Sequence, residues 1–294
     1  MRNITEHNIT DAVIARFAAC ADPRLKEVLT SLVRHLHGFV RDTRLTEAEW
    51  LQGIEFLTAA GHITDAKRQE FILLSDTLGL SMLTVAQNHS KGASATEATV
   101  FGPFHVAHAT QFANGADIAG DAPGEPLFVD CTIRGSHGEP VAGATIDVWQ
   151  ADQDGYYDVQ YKDREVRRAR GVLESDTNGR FRFRSVLPVA YPIPTDGPVG
   201  QMLVASGRHP WRPAHVHFMI QAPGYQTLIT HVFRAGDKYL DSDVVFGVRA
   251  SLIGDFVAHA AGTGAHGREV EGPYHTLDFD FVLPRVEQSG APSS

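Results

Sequence analysis

From Thr10 to about Gln87 the apolar residues recur at helical spacing. Leu25, Val28, Leu29, Leu32, Val33, Leu36, Phe39 and Val40 fall on one stripe. Thr46 with Glu49 three residues later reads as a capping box that opens a further helix. Gly61 sits where that helix would stop, and Thr64 or Asp65 would cap another running to about Gly79. The first third therefore predicts about four or five helices. Their apolar stripes are expected to be mostly core, with surplus surface for a dimer contact. After "HSKGASATEATVFGPF" the period changes. "PLFVDCTIRG", "GATIDVWQAD", "GRFRFRSV", "AHVHFMIQA" and "TLITHVFRA" are short β-rich runs between Gly, Pro and Asp turn signals. The pattern predicts an α+β protein: a helical N-terminal domain over residues 1–105, then an antiparallel β-sandwich over 106–294 ending in a disordered tail, "EQSGAPSS". The Gly-rich "AGTGAHG" lacks the Gly-Lys-Ser/Thr ending of a phosphate loop and reads as a flexible loop.

Composition narrows the function classes. With 43% hydrophobic and 21% charged residues in 294, the chain has enough apolar surface for proper cores. A net charge of -9 argues against a nucleic-acid surface, which needs a clustered basic field. No stretch is apolar for the roughly 18 residues of a membrane span, and "MRNITEHNIT" lacks a basic-then-apolar leader. The expectation is a soluble, cytoplasmic protein. Cys20 and Cys131, far apart, suggest neither a disulfide framework nor a thiolate zinc site.

The chemistry concentrates in "RPAHVHF". On a strand, residues two apart point the same way, so the imidazoles of His215 and His217 converge and both can reach one ion. His35 and His37 have the same spacing on a predicted helix, where it points them to different faces. Neutral imidazole suits Zn, Cu, Fe or Ni, and a metal needs further ligands. Carboxylates are available at Asp237, Asp241 and Asp243 and at Asp152, Asp154 and Asp158, although such Asp clusters ordinarily make turns. Phenols are available at Tyr156 and Tyr157, after an Asp-Gly turn, and at Tyr191, beside a proline that stiffens its loop. Spacing does not choose between them.

Taken together, "VWQADQDGYYDVQY", "SVLPVAYPIPTDGPVG", "GRHPWRPAHVHF" and "THVFRAGDKYLDSD" resemble the intradiol ring-cleaving dioxygenases, which open catechols between their two hydroxyls with non-haem Fe(III). Within that family the wording is similar to the hydroxyquinol 1,2-dioxygenases, and the likeness covers nearly the whole chain. It implies one Fe(III) per subunit held by Tyr157, Tyr191, His215 and His217, with Tyr156 a packing residue. Tyr191 would be the ligand that leaves and takes a proton, because its prolyl loop can swing while Tyr157 is tied to a strand end. Arg212 would face the substrate. The pocket wall would comprise Leu73, Asp76, Val100, Phe101, Gly102, Pro103, Phe104, Ile193 and Pro194. The chain has His231 where catechol enzymes usually carry Gln, and His231 is expected beside the ligands. The implied partners are a small aromatic diol or triol and O2. The resemblance also implies a homodimer through the N-terminal helices, with a phospholipid held between them.

The residue types suit that chemistry. Phenolate is a hard anionic donor matched to Fe(III), and the ion itself lowers the phenol pKa from about 10. A guanidinium keeps its charge in a dry pocket and can stabilise a developing ring oxyanion. Asp76, on a helix otherwise lined by Phe71, Leu73, Leu74 and Leu78, would accept a hydrogen bond from a third ring hydroxyl and so prefer hydroxyquinol. The product would be 3-hydroxy-cis,cis-muconate (maleylacetate) in aromatic catabolism. The rival readings are a catechol or chlorocatechol 1,2-dioxygenase and a non-catalytic sandwich that binds an aromatic or a lipid. A zinc hydrolase would lack an acidic third ligand and leave both tyrosines unexplained.

Overall fold

The computed structural model describes residues 2–65, 68–89, 95–161, 167–263, 267 and 269–286. The tail "EQSGAPSS" and part of "AGTGAHG" lie outside the described residues. The chain divides into two compact units, Met1–Ala59 and Ala60–Ser294.

The first unit holds α1 (Ile9–Ala15), α2 (Pro23–Thr43) and most of α3 (Glu47–Ile63). Asp22 caps α2 by accepting the Arg24 and Leu25 N–H groups, Pro23 supplies a preset first turn, and Arg44 ends the helix at φ 51°. The Thr46–Glu49 capping box is present: Glu49 N–H donates to Thr46 Oγ1 at 3.3 Å and Thr46 N–H to Glu49 Oε2 at 2.9 Å. Helix α3 passes through Gly61 instead of stopping there. The apolar stripe behaves differently from expectation. Leu25, Val28, Leu32, Leu36, Phe39 and Val40 are all exposed, and α2 buries no residue fully. Periodicity shows which side of a helix is apolar; it does not show that the covering surface belongs to the same chain.

In the second unit, α4 (Glu70–Thr77) and α5 (Leu80–Asn88) meet at Gly79, whose φ of 74° makes the sharp turn. Helix α4 starts later than the expected Thr64 or Asp65 cap; Asp65 accepts the Arg68 N–H instead. The buried Glu70 accepts the Val199 N–H at 3.1 Å and so ties α4 to α6 (Pro198–Ala205).

The strands are β1 (Pro126–Gly135), β2 (Thr145–Gln150), β3 (Arg170–Glu174), β4 (Arg180–Val186), β5 (Tyr191–Pro192), β6 (Trp211–Arg212), β7 (His215–Gln221), β8 (Leu228–Arg234), β9 (Ile253–Gly254), β10 (Val257–His259), β11 (Gly262–Thr263), β12 (Glu269–Val270) and β13 (Tyr274–Leu283). One sheet runs β10-β13-β1-β4 and the other β3-β2-β7-β8-β9; β5-β6 and β11-β12 are two-stranded ribbons. The five quoted runs all fall on strands. Pairing is mostly antiparallel, with β1-β13 and β8-β9 parallel. The start of "AGTGAHG" is less loop-like than expected, since Gly262 and Thr263 pair with Val270 and Glu269.

Alternation along the five-stranded sheet separates core from chemistry. Val148, Val216, Phe218, Ile220 and Val232 join the main core with Val129, Phe181, Phe183 and Phe281 of the other sheet. The intervening residues, Trp149, His215, His217 and His231, are also buried but outside that cluster. The sheet thus carries packing on one face and the candidate site on the other.

Gly155 brings the turn before Tyr157 close to Tyr191: its φ is 79°, and a Cβ there would lie 3.1 Å from Tyr191 Cβ. Gly155→Ala is expected to cost about 1–3 kcal/mol from the left-handed backbone and the contact together, read as a lower urea midpoint.

Candidate active site

The two histidines of β7 converge as alternation requires, with their Nε2 atoms 3.1 Å apart. His215 Nδ1–H donates to the Pro213 carbonyl at 2.7 Å, which fixes the tautomer and leaves the Nε2 lone pair facing the cluster. The Tyr157 hydroxyl lies 3.0 Å from His217 Nε2 and 3.4 Å from His215 Nε2, and it donates to Tyr191 Oη at 3.2 Å. Tyr157, Tyr191, His215 and His217 are all 3% exposed or less.

Local structure explains how residues so distant in sequence meet. Tyr157 does not stand at a strand end: it opens a short 3-10 turn over Asp158–Gln160, its N–H donating to Gln160 Oε1 at 2.8 Å. Tyr191 is held too, since β5 pairs it with Arg212 on β6. The contrast between a swinging Tyr191 and an anchored Tyr157 is therefore smaller than the sequence suggests. Phe104 stacks on Tyr157 at 4.5 Å, and Trp149 stacks on His217 at 4.7 Å. Gly102, at φ 74°, lets the chain pass so near His217 that a Cβ there would lie 3.2 Å from its Cε1.

Charge is arranged around these donors. Arg212, 3% exposed, donates from Nε to Asp243 Oδ1 at 3.1 Å and from Nη2 to Oδ2 at 3.3 Å, while Nη1 lies 3.3 Å from His215 Nε2. Burial opposes its charge, but Asp243 and the two phenols outweigh that and raise its pKa. Burial pushes both phenols up, most strongly at Tyr157, with Arg212 acting against it at both and Arg170 at Tyr157. Burial also pushes His215, His217 and His231 well below the usual imidazole range, so all three are neutral. The result is a dry cluster with more lone pairs than protons to fill them, an arrangement that a cation would satisfy.

His231 lies against the ligand candidates, its ring 4.1 Å from that of His217. Thr99 Oγ1 hydrogen-bonds its Nδ1, and its Nε2 has no partner. Among the described residues, His215, His217 and His231 form a metal-capable group, each offering an atom within 4.8 Å of the others. Of the remaining expected wall, Leu73, Val100, Gly102, Phe104 and Ile193 are buried and Pro103 and Pro194 half-buried. Phe101 is partly exposed and leans on Trp149 and His105. Tyr156 is exposed and edge-packed on Tyr161. Asp76 is 2% exposed, and its Oδ1 has no hydrogen-bond partner.

Residues 100–284 match the family model described as Dioxygenase, and residues 22–96 match Catechol dioxygenase N terminus. The chain is 62% identical to a 6-chlorohydroxyquinol 1,2-dioxygenase of Cupriavidus pinatubonensis, covering 96% of this chain and 99% of the relative. It belongs to the intradiol ring-cleavage dioxygenases. The solved hydroxyquinol 1,2-dioxygenase of Pseudomonas putida DLL-E4 superposes with a TM-score of 0.87 at 47% identity, covering 96% of this dioxygenase and 99% of that chain. A catechol 1,2-dioxygenase from Pseudomonas arvilla C-1 gives 0.83 at 30% identity, covering 97% and 93%. The family implies a non-haem iron, and the lone-pair-rich cluster of this dioxygenase fits one.

Sequence reading missed several supporting groups. Asp243 reads as a turn residue, and it does accept the Gly247 N–H at 3.0 Å, but the same carboxylate holds Arg212. Asp152 shapes the turn before Tyr157 by accepting the Asp154 N–H at 3.0 Å and the Tyr156 N–H at 3.3 Å. Asp237 accepts the Ala214 N–H at 3.0 Å, just before the histidine pair. The Asp-rich spacing was their only signal.

Burial raises the Asp76 carboxyl from 3.8 to about 6, with Ser81 and Arg212 opposing and Asp243 adding to the rise. Because the folded value is the higher, its contribution to stability is present below 3.8 and lost as pH rises through about 6. Asp76→Asn is therefore expected to stabilise the protein by about 1–3 kcal/mol at pH 8. It should also flatten the stability profile between about pH 4 and 7, measured by urea unfolding across that range.

Proposed function

We propose that this dioxygenase opens hydroxyquinol (1,2,4-trihydroxybenzene) between its adjacent hydroxyls, both atoms of O2 entering 3-hydroxy-cis,cis-muconate, the tautomer of maleylacetate. The observation that carries the reading is the convergence of two buried phenols and two neutral imidazoles beside the buried Arg212. Tyr157, Tyr191, His215 and His217 hold one Fe(III) per subunit. The hard oxygen donors favour the ferric ion, whereas the three imidazoles alone would suit a softer divalent one. When bound, the ion withdraws electron density from a chelated diol and makes the ring reactive toward O2.

The side chains supply the rest. With iron bound, Tyr191 would be the ligand that gives way and takes a substrate proton; Arg212, its partner across the β5-β6 ribbon, would stabilise the phenolic oxygen and the developing negative charge on the ring. Asp243 keeps that guanidinium in place. Phe104 and Trp149 cover Tyr157 and His217 and exclude water. His231 packs on His217 and, through Thr99, ties it to the wall segment of Val100 to Phe104. Leu73, Val100, Phe101, Gly102, Pro103, Phe104, Ile193 and Pro194 form the wall, and the unpartnered Asp76 oxygen accepts the third ring hydroxyl. Catechol, lacking that hydroxyl, would leave the acceptor buried and unpaired.

The N-terminal domain, residues 1–105, serves dimerisation through its helices and residues 106–294 hold the iron, with Val100 to Phe104 of the first reaching the pocket wall. The exposed stripe from Leu25 to Val40, with Trp50, Leu51 and Ile54, offers the apolar surface for a homodimer and a phospholipid's acyl chains. No helix of the described residues is long and apolar enough to cross a membrane, and a cytoplasmic location fits a catabolic enzyme of small aromatics.

The test is the visible spectrum of the iron-analysed protein, recorded without O2 before and after adding hydroxyquinol. A broad tyrosinate-to-Fe(III) band that shifts on titration is expected. A colourless protein holding stoichiometric zinc would overturn the metal assignment; a coloured one indifferent to hydroxyquinol would overturn the substrate. Tyr157→Phe and His217→Ala should lose iron or activity. Asp76→Asn should lower the preference for hydroxyquinol over catechol by about 10–100-fold in kcat/KM.

A further inference from the structure

Beyond the ligands and the wall, the described residues include a fully buried arginine with no role so far. Arg170 is 1% exposed. Its Nε donates to Asp158 Oδ1 and Oδ2 at 3.2 and 3.1 Å, and its Nη2 donates to Asp158 Oδ1 at 2.7 Å. The same Nη2 donates to the Phe104 carbonyl at 2.8 Å, while Nη1 has no partner. Asp158, 6% exposed, follows Tyr157 directly, opens the 3-10 turn and accepts the Val159 N–H within it at 3.0 Å, so it is part of the turn that carries the phenol.

We propose that the Arg170–Asp158 pair is a positioning device for Tyr157, locking the phenol's turn and the Phe104 segment of the pocket wall into one rigid unit. Stability does not explain the pair. Two buried charges cost several kcal/mol each to desolvate, and well-packed apolar residues commonly do as well or better in their place. Geometry does explain it. A guanidinium fork grips a carboxylate at two points and reaches a third acceptor at a fixed angle, which neither Lys nor an apolar residue can do. The groups it joins touch each other again at the rings, where Phe104 stacks on Tyr157 at 4.5 Å and 23°. The phenol is thus held from its backbone and from its ring face by one side chain.

The root of Arg170 is equally well placed. On the five-stranded sheet Arg170 pairs with Trp149, Trp149 with His217, and His217 with His231. All four lie on one cross-strand row and are 1% exposed or less. Trp149 stacks on His217 at 4.7 Å and 18°. Arg170 therefore registers Tyr157 against the row that carries His217, linking two of the proposed ligands through three contacts and no solvent.

The inference rests on Tyr157 being an iron ligand. Its test compares the wild-type protein with Arg170→Lys, Arg170→Gln and the double variant Arg170→Gln/Asp158→Asn, all iron-loaded. Readouts are iron per subunit, the position of the tyrosinate-to-iron band, and kcat and KM for hydroxyquinol. Arg170→Gln leaves the buried Asp158 carboxylate with the half-exposed Arg167, 3.7 Å away, as its remaining cation among the described residues and should fold poorly; the double variant removes both charges of the pair and should recover folding. If the pair positions Tyr157, the refolded double variant and Arg170→Lys both show a shifted band and a kcat or iron affinity lower by about 10–100-fold. A band at the wild-type position with iron content and kcat within about twofold, in either of these two variants, overturns the proposal. Should the double variant not fold, Arg170→Lys decides alone by the same readouts. A wild-type protein with no such band would instead refute the ligand assignment, and the role proposed for Arg170 would fall with it.

Discussion

The five-stranded sheet has to be buried on both faces, and that constraint shapes the catalytic unit. A strand offers side chains to its two faces in strict alternation, so β7 can give Val216, Phe218 and Ile220 to the hydrocarbon core only by giving His215 and His217 to the opposite side. A one-residue slip would put imidazoles into the sandwich and valine among the phenols. The register that makes the core is the register that makes the site. The neighbouring strands repeat it: Trp149 and His231 stand beside His217 because Val148 and Val232 are in the core.

Burying polar groups on the second face creates a debt in unsatisfied lone pairs, and the structure shows how it is met. Arg212 is neutralised by Asp243, whose carboxylate also closes a turn. Arg170 is neutralised by Asp158, which lies in the turn after Tyr157. His215 settles one nitrogen on the Pro213 carbonyl. What stays open is the inward-facing set of phenol oxygens and Nε2 atoms, and a cation answers that deficit. Burial raises the phenols and lowers the imidazoles, so each donor arrives neutral.

Much of this was legible in the chain, for identifiable reasons. The helix-to-strand change in period is a local property, and all five quoted β-runs fall on strands. His-x-His on a strand is a geometric statement complete within three residues. The role of Asp243 was not legible, because a turn aspartate and an aspartate that holds an arginine look alike until the loop closes on Arg212. Arg170 and Trp149 were invisible for a related reason: their meaning lies in cross-strand register, which couples residues tens of positions apart. The α2 stripe misled in the other direction, since its pattern is that of a core helix although the residues are exposed in the single chain.

The places where folding rules fail are informative in themselves. A natural sequence agrees with its fold at most positions, and the exceptions gather where function demands them. Three exceptions stand out among the described residues. Leu32 and Leu36 are exposed where a core residue would be hidden; Asp76 is buried with an oxygen unpaired; Arg170 is buried with a nitrogen unpaired. Each raises the free energy of the isolated chain, and none is relieved by anything inside it. The first asks for an apolar partner, the second for a hydrogen-bond donor on a small molecule. The third differs in kind, because its other donors are fully engaged and its value lies in rigidity. A side chain that must hold Asp158 and the Phe104 carbonyl at once cannot also satisfy its last nitrogen, and that residual strain is what a fixed angle costs.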